Sequence, residues 1–260
     1  MTDAWTPPSK RNPLRADLAG LGIPEGQYRL PSPDAYLDAG GSRDGAARID
    51  AHFHNEIPLT DLQPAEIAFL RTYFNRQIEE QLAKTLAHFN AAVPRRYAKV
   101  EPDDTAHIWA KAVAADADDV QSLLIVGPTG TGKTHYAYAV LKAVAETGRG
   151  LSWAALTAAD LYASLRPRPN GDSEAEFTRL ANIDVLFLDD LGAAKVTEWT
   201  EEVTYRLINR RYEQCKPSLF TSNVPPAQLR DALGERISSR LVEMCERVVL
   251  KGHDRRRGAA

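Results

Sequence analysis

Gly127-Pro128-Thr129-Gly130-Thr131-Gly132-Lys133-Thr134 decides how the rest of this sequence is read. The octapeptide fits G-x-x-x-x-G-K-[ST]. It follows the uniformly apolar run Ser122-Leu123-Leu124-Ile125-Val126 and precedes the helix-forming stretch Tyr136 to Ala145. Strand, glycine loop and helix in that order make a phosphate cradle. Glycines let successive backbone N–H groups turn inward, and the helix N-terminus adds its positive end. Lys133 reaches the β- and γ-phosphates, and the Thr134 hydroxyl faces Mg²⁺. A nucleoside triphosphate is the ligand this chemistry selects. The apolar run is of the kind found in strands buried on both faces of a parallel sheet.

Such a loop needs a carboxylate at the end of a second buried strand. Asp184-Val185-Leu186-Phe187-Leu188-Asp189-Asp190 supplies two acids. Asp189 is placed to hold Mg²⁺ through water, and Asp190 to orient or deprotonate the attacking water. A further strand and helix, Gly150 to Ala155 and Thr157 to Leu165, lie between the two motifs in sequence, with Thr157 as the cap. That arrangement favours the branch of phosphate-loop proteins that hydrolyse ATP with an acid beside the metal carboxylate. A helix over Thr197 to Gln214 has Glu at its start and Arg at its end, as the helix dipole prefers. The next strand, Pro217 to Ser222, ends at Asn223. Its amide reads either as turn chemistry before Val-Pro-Pro or as a sensor of the γ-phosphate.

Toward the N-terminus the texture changes. Eight of the sixteen prolines fall in the first quarter of the chain, interspersed with glycines from Gly20 to Gly45. This composition predicts a flexible arm over residues 1–60, or a segment ordered only against a partner. Thr60 and Gln63 have capping-box spacing ahead of Pro64. Ile67, Leu70, Phe74, Ile78, Leu82, Leu86 and Phe89 then recur every three or four residues until Val93-Pro94. Residues 61–92 therefore read as an amphipathic helix whose stripe packs on the protein's own body or docks a partner, with the core occupying 93–260.

Composition narrows the function classes. A chain that is 43% hydrophobic and 26% charged is not disordered throughout, and its net charge of -3 provides no global field for nucleic acid. Only Cys215 and Cys245 are present, too few for a disulfide framework, which points to a reducing, cytoplasmic setting. No apolar run has the length of a signal peptide or a membrane span. His52 and His54 read as surface residues, not metal ligands.

GPTGTGKT, VLFLDDLG, LFTSN, GERISSRL and VLKGHDRR, in that order, resemble the DnaC/DnaI-like AAA+ helicase loaders and the related IstB-type transposition ATPases. Val93-Pro94-Arg95-Arg96-Tyr97 is similar to the segment that leads into the ATPase core of these proteins. The resemblance covers about residues 92–257. It implies an α/β AAA+ core, a parallel sheet between helices, preceded by a partly disordered, helical N-terminal region. It also implies Asn223 as sensor 1, Arg240 as the arginine finger acting on a neighbouring subunit with Arg236 as the second candidate, and Arg256 as the sensor 2 arginine. Asp190 stands where a glutamate is common, and its shorter reach predicts slow hydrolysis.

The expected function is an ATPase that assembles with ATP into an oligomer. It would load a DnaB-like replicative helicase onto single-stranded DNA and contact that helicase through the N-terminal region. Alternatives are a transposition helper on duplex DNA, a nucleotide-switched adaptor with little turnover, and, least favoured, a small-molecule kinase, which would have no use for Arg240 as a finger.

Overall fold

The computed structural model describes residues 18–24, 28–116, 120–167, 172–193 and 197–251. They divide into two compact units, one ending at Ala83 and one beginning at Lys84.

The second unit is built on five strands: β1 (Ser122–Val126), β2 (Trp153–Thr157), β3 (Val185–Asp189), β4 (Ser218–Ser222) and β5 (Cys245–Val249). All pairings are parallel, and the spatial order is β2-β3-β4-β1-β5. The strand lying between the phosphate-loop strand and the acid strand is therefore β4. The segment that separates them in sequence, β2, forms an edge. The central strands β1 and β4 are buried throughout, whereas β2 is half-buried and β5 exposes Glu246, Arg247 and Val249.

Strand residues alternate between two cores, as a period of two requires. Leu123, Ile125, Val185, Phe187 and Leu219 join one cluster, while Leu124, Val126, Leu186, Leu188 and Phe220 join the other. The first cluster includes Trp109 and Ala110 of α4 (Asp104–Ala114) and Val140, Leu141 and Val144 of α5 (Lys133–Glu146). The second is covered by α6 (Ala158–Leu165), α7 (Ser173–Asn182), α8 (Glu198–Glu213), α9 (Leu229–Leu233) and α10 (Glu235–Met244). Helices on both faces of a parallel sheet give the expected α/β class.

Local signals set several boundaries. The Thr157 side chain accepts from the Asp160 N–H at 3.0 Å and caps α6 as expected, although β2 runs two residues past its expected end. Thr197 and Thr200 form a reciprocal capping box at the start of α8. Arg211, read as a dipole-complementing residue at the end of that helix, is fully buried. Its guanidinium donates to the carbonyls of Leu180, Ala181, Ile183, Asp184 and Pro217 and to the Ser218 hydroxyl. It thus caps the C-terminal end of α7 and ties it to the start of β4. Burial pulls its pKa down to about 10.

The first unit departs from the expected flexible arm. Residues 33–61 contain α1 (Pro33–Asp38), α2 (Arg43–Phe53) and a 3₁₀ turn at Leu59–Asp61, ahead of α3 (Pro64–Ala92). Ser32 and Ser42 cap α1 and α2, accepting from the Ala35 and Gly45 N–H groups at 3.3 and 3.1 Å. Gly41 lies against Tyr36: a Cβ there would come within 2.3 Å of the ring, so this glycine permits packing where composition suggested slack. Leu18, Leu21, Ile23, Tyr36, Ala46, Ile49, Leu62, Leu70 and Phe74 form one buried cluster. The stripe of α3 is thus shared between the two units: Leu70 and Phe74 are buried in the first, and Phe89 is buried in the second. Phe74 is covered by its own unit, so at this position the stripe packs on the protein's own body, one of the two expected readings.

Two smaller expectations change as well. The capping pair is not Thr60 with Gln63; the Glu66 carboxylate accepts from the Gln63 N–H at 2.8 Å, and Thr60 lies in the 3₁₀ turn. His52 is buried, not at the surface, with Nδ1 3.1 Å from the Ile57 carbonyl oxygen, while His54 is exposed.

Candidate functional site

The end of β1 opens directly into the glycine loop. Gly132, at φ +97°, occupies the left-handed cap position of α5, a conformation that a side chain would strain. Thr131 is buried and donates to the Pro128 carbonyl at 2.9 Å, closing the loop on itself; Thr129 and Gly130 form its rim. The Lys133 ammonium is also buried. It donates to the Gly127 and Pro128 carbonyls, each at 2.9 Å, and so lies across the mouth of the cradle.

Thr134 turns the other way. Its hydroxyl stands 3.1 Å from both oxygens of Asp189, at the end of β3. Burial pushes the Asp189 carboxyl above the usual carboxylate range, partly offset by hydrogen bonds from Thr221 and Thr134; the neighbouring charge of Asp190 adds to the rise. A desolvated carboxylate beside a hydroxyl is a hard, all-oxygen donor set, which suits Mg²⁺. Beside it the Tyr138 ring packs edge-on against Phe187, and burial moves its hydroxyl pKa up to about 12.

Asp190 follows in a left-handed conformation, φ +61°, which aspartate tolerates better than most residues. Its N–H donates to Thr221 Oγ1 at 2.9 Å, and its carboxylate accepts from Asn223 Nδ2 at 2.5 Å. Both acid and amide are exposed, so the pair faces solvent at the sheet end. The structure thus joins Thr134, Asp189, Asp190 and Asn223 in one hydrogen-bonded chain.

Sequence reading did not assign the residue that completes this chain. Thr221 is 1% exposed and donates to Asp189 Oδ1 at 2.5 Å. The signal was present but weak: one β-branched hydroxyl late in the strand Ser218-Leu219-Phe220-Thr221-Ser222. Its meaning depends on the register, which pairs Leu188 with Phe220 and so sets Asp189 beside Thr221.

The two arginines proposed for trans action sit elsewhere. Arg240 Nε donates to Asn209 Oδ1 at 3.0 Å and Nη1 to Glu243 at 2.9 Å, with the guanidinium over the Tyr212 ring. Arg236 lies 3.9 Å over the Tyr205 ring. Both are fixed on the α8–α10 surface, not on the phosphate loop. Arg256, with Arg255 and Arg257, lies outside the described residues.

Comparisons with known proteins bear on the family and the fold. The family described as IstB-like ATP binding protein matches residues 79–259. The replicative helicase loader DnaC of Escherichia coli (strain K12) is 27% identical over 126 residues, covering 47% of this chain and 51% of the relative. An ATP-binding protein in an insertion sequence of Mycobacterium tuberculosis (strain ATCC 25618 / H37Rv) is 30% identical over 142 residues, covering 52% of this chain and 55% of the relative. This chain therefore spans about half the length of those curated relatives. Among solved structures, the DnaC helicase loader superposes with a TM-score of 0.52 at 26% identity, covering 61% of this chain and 100% of that one. DnaI superposes at 0.51 and 23% identity, covering 63% and 94%, a likeness of fold. No helix among the described residues is long and apolar enough to cross a membrane.

Proposed function

The chain belongs to the IstB-like ATP-binding family, and on that premise we propose that it is an ATPase loading a DnaB-like replicative helicase onto single-stranded DNA in the cytoplasm. The observation that carries the ATPase part of this reading is the hydrogen-bonded chain from Thr134 through Asp189 and Asp190 to Asn223, set beside the Lys133 cradle; the likeness to the helicase loader DnaC supports the rest. Loop N–H groups and Lys133 bind the β- and γ-phosphates, and Lys133 exchanges its two loop carbonyls for them. Thr134 and Asp189 hold Mg²⁺, which, when bound, neutralises charge developing on the phosphates. Asp190 orients the attacking water and takes its proton, and Asn223 holds that carboxylate in place. Arg240, half-buried on the α8–α10 surface, serves a neighbouring subunit's nucleotide in the ATP-dependent oligomer. The folded first unit is the helicase-contacting module, acting through its outer face and not through Phe74.

The test uses the intact chain with its host's replicative helicase and a DNA carrying single- and double-stranded arms. An ATP-dependent complex that footprints the single strand is expected. Asp190→Asn should bind ATP normally and lose turnover by about 10²- to 10⁴-fold. Turnover at the parental rate would remove Asp190 from its role. The similarity to an insertion-sequence protein supports a second reading, a transposition helper. A footprint confined to duplex DNA, with no helicase complex, would favour it.

A further inference from the structure

We infer that Thr221 is a positioning residue of the nucleotide site, using one hydroxyl to fix both the metal-binding carboxylate and the turn that presents the water-orienting acid. The inference rests on the ATPase reading above and adds to it a residue that touches neither phosphate nor water.

A hydroxyl has one proton to donate and two lone pairs to accept with. The Thr221 proton goes to Asp189 Oδ1, and a lone pair receives the Asp190 N–H. Rotating the side chain would break both bonds together, and a β-branched residue in a strand has little freedom to rotate. The carboxylate of Asp189 is therefore held from the β4 side while Thr134 meets it from α5. The left-handed turn at Asp190 is held by the same oxygen, and that turn carries the Asp190 carboxylate to Asn223.

The other hydroxyls of β4 are wired differently. Ser218 accepts from Arg211, and Ser222 donates to the Leu191 carbonyl and accepts from the Val224 N–H. Those contacts shape the frame and reach neither acid. A threonine buried between two adjacent acids and bonded to both residues is a device for aligning them.

Thr221→Val keeps the branched shape and removes the hydroxyl; Thr221→Ser keeps the hydroxyl. Three quantities separate alignment from bulk structure: nucleotide affinity without Mg²⁺, the gain in affinity on adding Mg²⁺, and kcat. For Thr221→Val, the Mg²⁺-free affinity should stay within about twofold, while the Mg²⁺-dependent gain and kcat each fall by about 10- to 100-fold, the cost typical of losing a partner that orients a metal ligand. Thr221→Ser should restore both. Hydrogen exchange of the Asp190 amide, measured without nucleotide, should accelerate in the valine variant and recover in the serine variant.

Parental Mg²⁺ dependence and kcat in Thr221→Val would overturn the inference. So would a loss confined to thermal stability and Mg²⁺-free binding that serine leaves unrepaired. If the parent chain binds ATP but does not hydrolyse it, the ATPase reading fails by itself, and the Mg²⁺-dependent gain still decides the role of Thr221.

Discussion

Each unit buries a charged side chain outside the nucleotide site, and the two do so by opposite means. In the N-terminal unit Glu66 is buried and paired with Arg48, whose guanidinium donates to both carboxylate oxygens, while the Gln63 N–H supplies a further bond. In the second unit Arg211 makes no hydrogen bond to a carboxylate among the described residues; five carbonyls and a hydroxyl receive it. A paired charge can be released by titrating its partner. A charge caged by carbonyls cannot, because those acceptors do not titrate. Acid can therefore release the charge pair of the first unit, an acid-sensitive latch, but not the caged charge of the core, a clamp that acid leaves closed.

The largest effect should come from opening the clamp. Arg211→Met removes the donor from several buried carbonyls, at about 1–3 kcal/mol for each left unsatisfied, and should destabilise the core by more than about 5 kcal/mol. Hydrogen exchange resolved by residue reads the two units separately. Protection should collapse in β3, β4 and α7 while α1 and α2 keep theirs; loss in both units together would break the comparison.

Next comes the first unit's own core. Phe74→Ala should cost about 3–5 kcal/mol there, exposing α1 and α2 to exchange while nucleotide affinity stays at the parental value. An unchanged first unit would mean that Phe74 is not its centre.

The smallest effect concerns pH. Burial alone would raise the Glu66 pKa, but the Arg48 and Gln63 hydrogen bonds outweigh it and hold the carboxyl below the usual glutamate range. A depressed acid contributes stability above the unfolded value and loses it as pH falls through the folded one. Acidification below about pH 4 should therefore loosen the first unit by this route, and Arg211 stays charged throughout that range. Glu66→Gln should be less stable at neutral pH and flatter in its acid response. A variant that keeps the parental acid profile would dissociate the latch from this pair.

The candidate nucleotide site was largely legible in the sequence because each of its segments is contiguous. The phosphate loop, Asp189-Asp190 and Thr221-Ser222-Asn223 each close one strand, and strands buried on both faces read as uniform apolar runs. The first unit was not legible in the same way. Its proline and glycine content suggested slack, although Ser32-Pro33 and Ser42 with Asp44 are ordinary helix-start signals. Those short helices gain their stability from packing such as Tyr36 against Phe69 and Phe53 against Phe74, contacts distant in sequence that composition does not weigh.

What the sequence determined by itself, then, is what a single segment can state: a phosphate cradle at the end of β1, two acids at the end of β3, an amide after β4, and a stripe along α3. Tertiary structure decided everything that depends on which segments meet. It set β4, not β2, between the loop strand and the acid strand, and so brought Thr221 against Asp189. It turned Arg211 inward onto the carbonyls of α7, and it divided one helical stripe between two cores. The reason is physical: a hydroxyl, a guanidinium or a phenyl ring has no fixed role until the neighbour that satisfies or covers it is fixed, and strand order and register fix that neighbour.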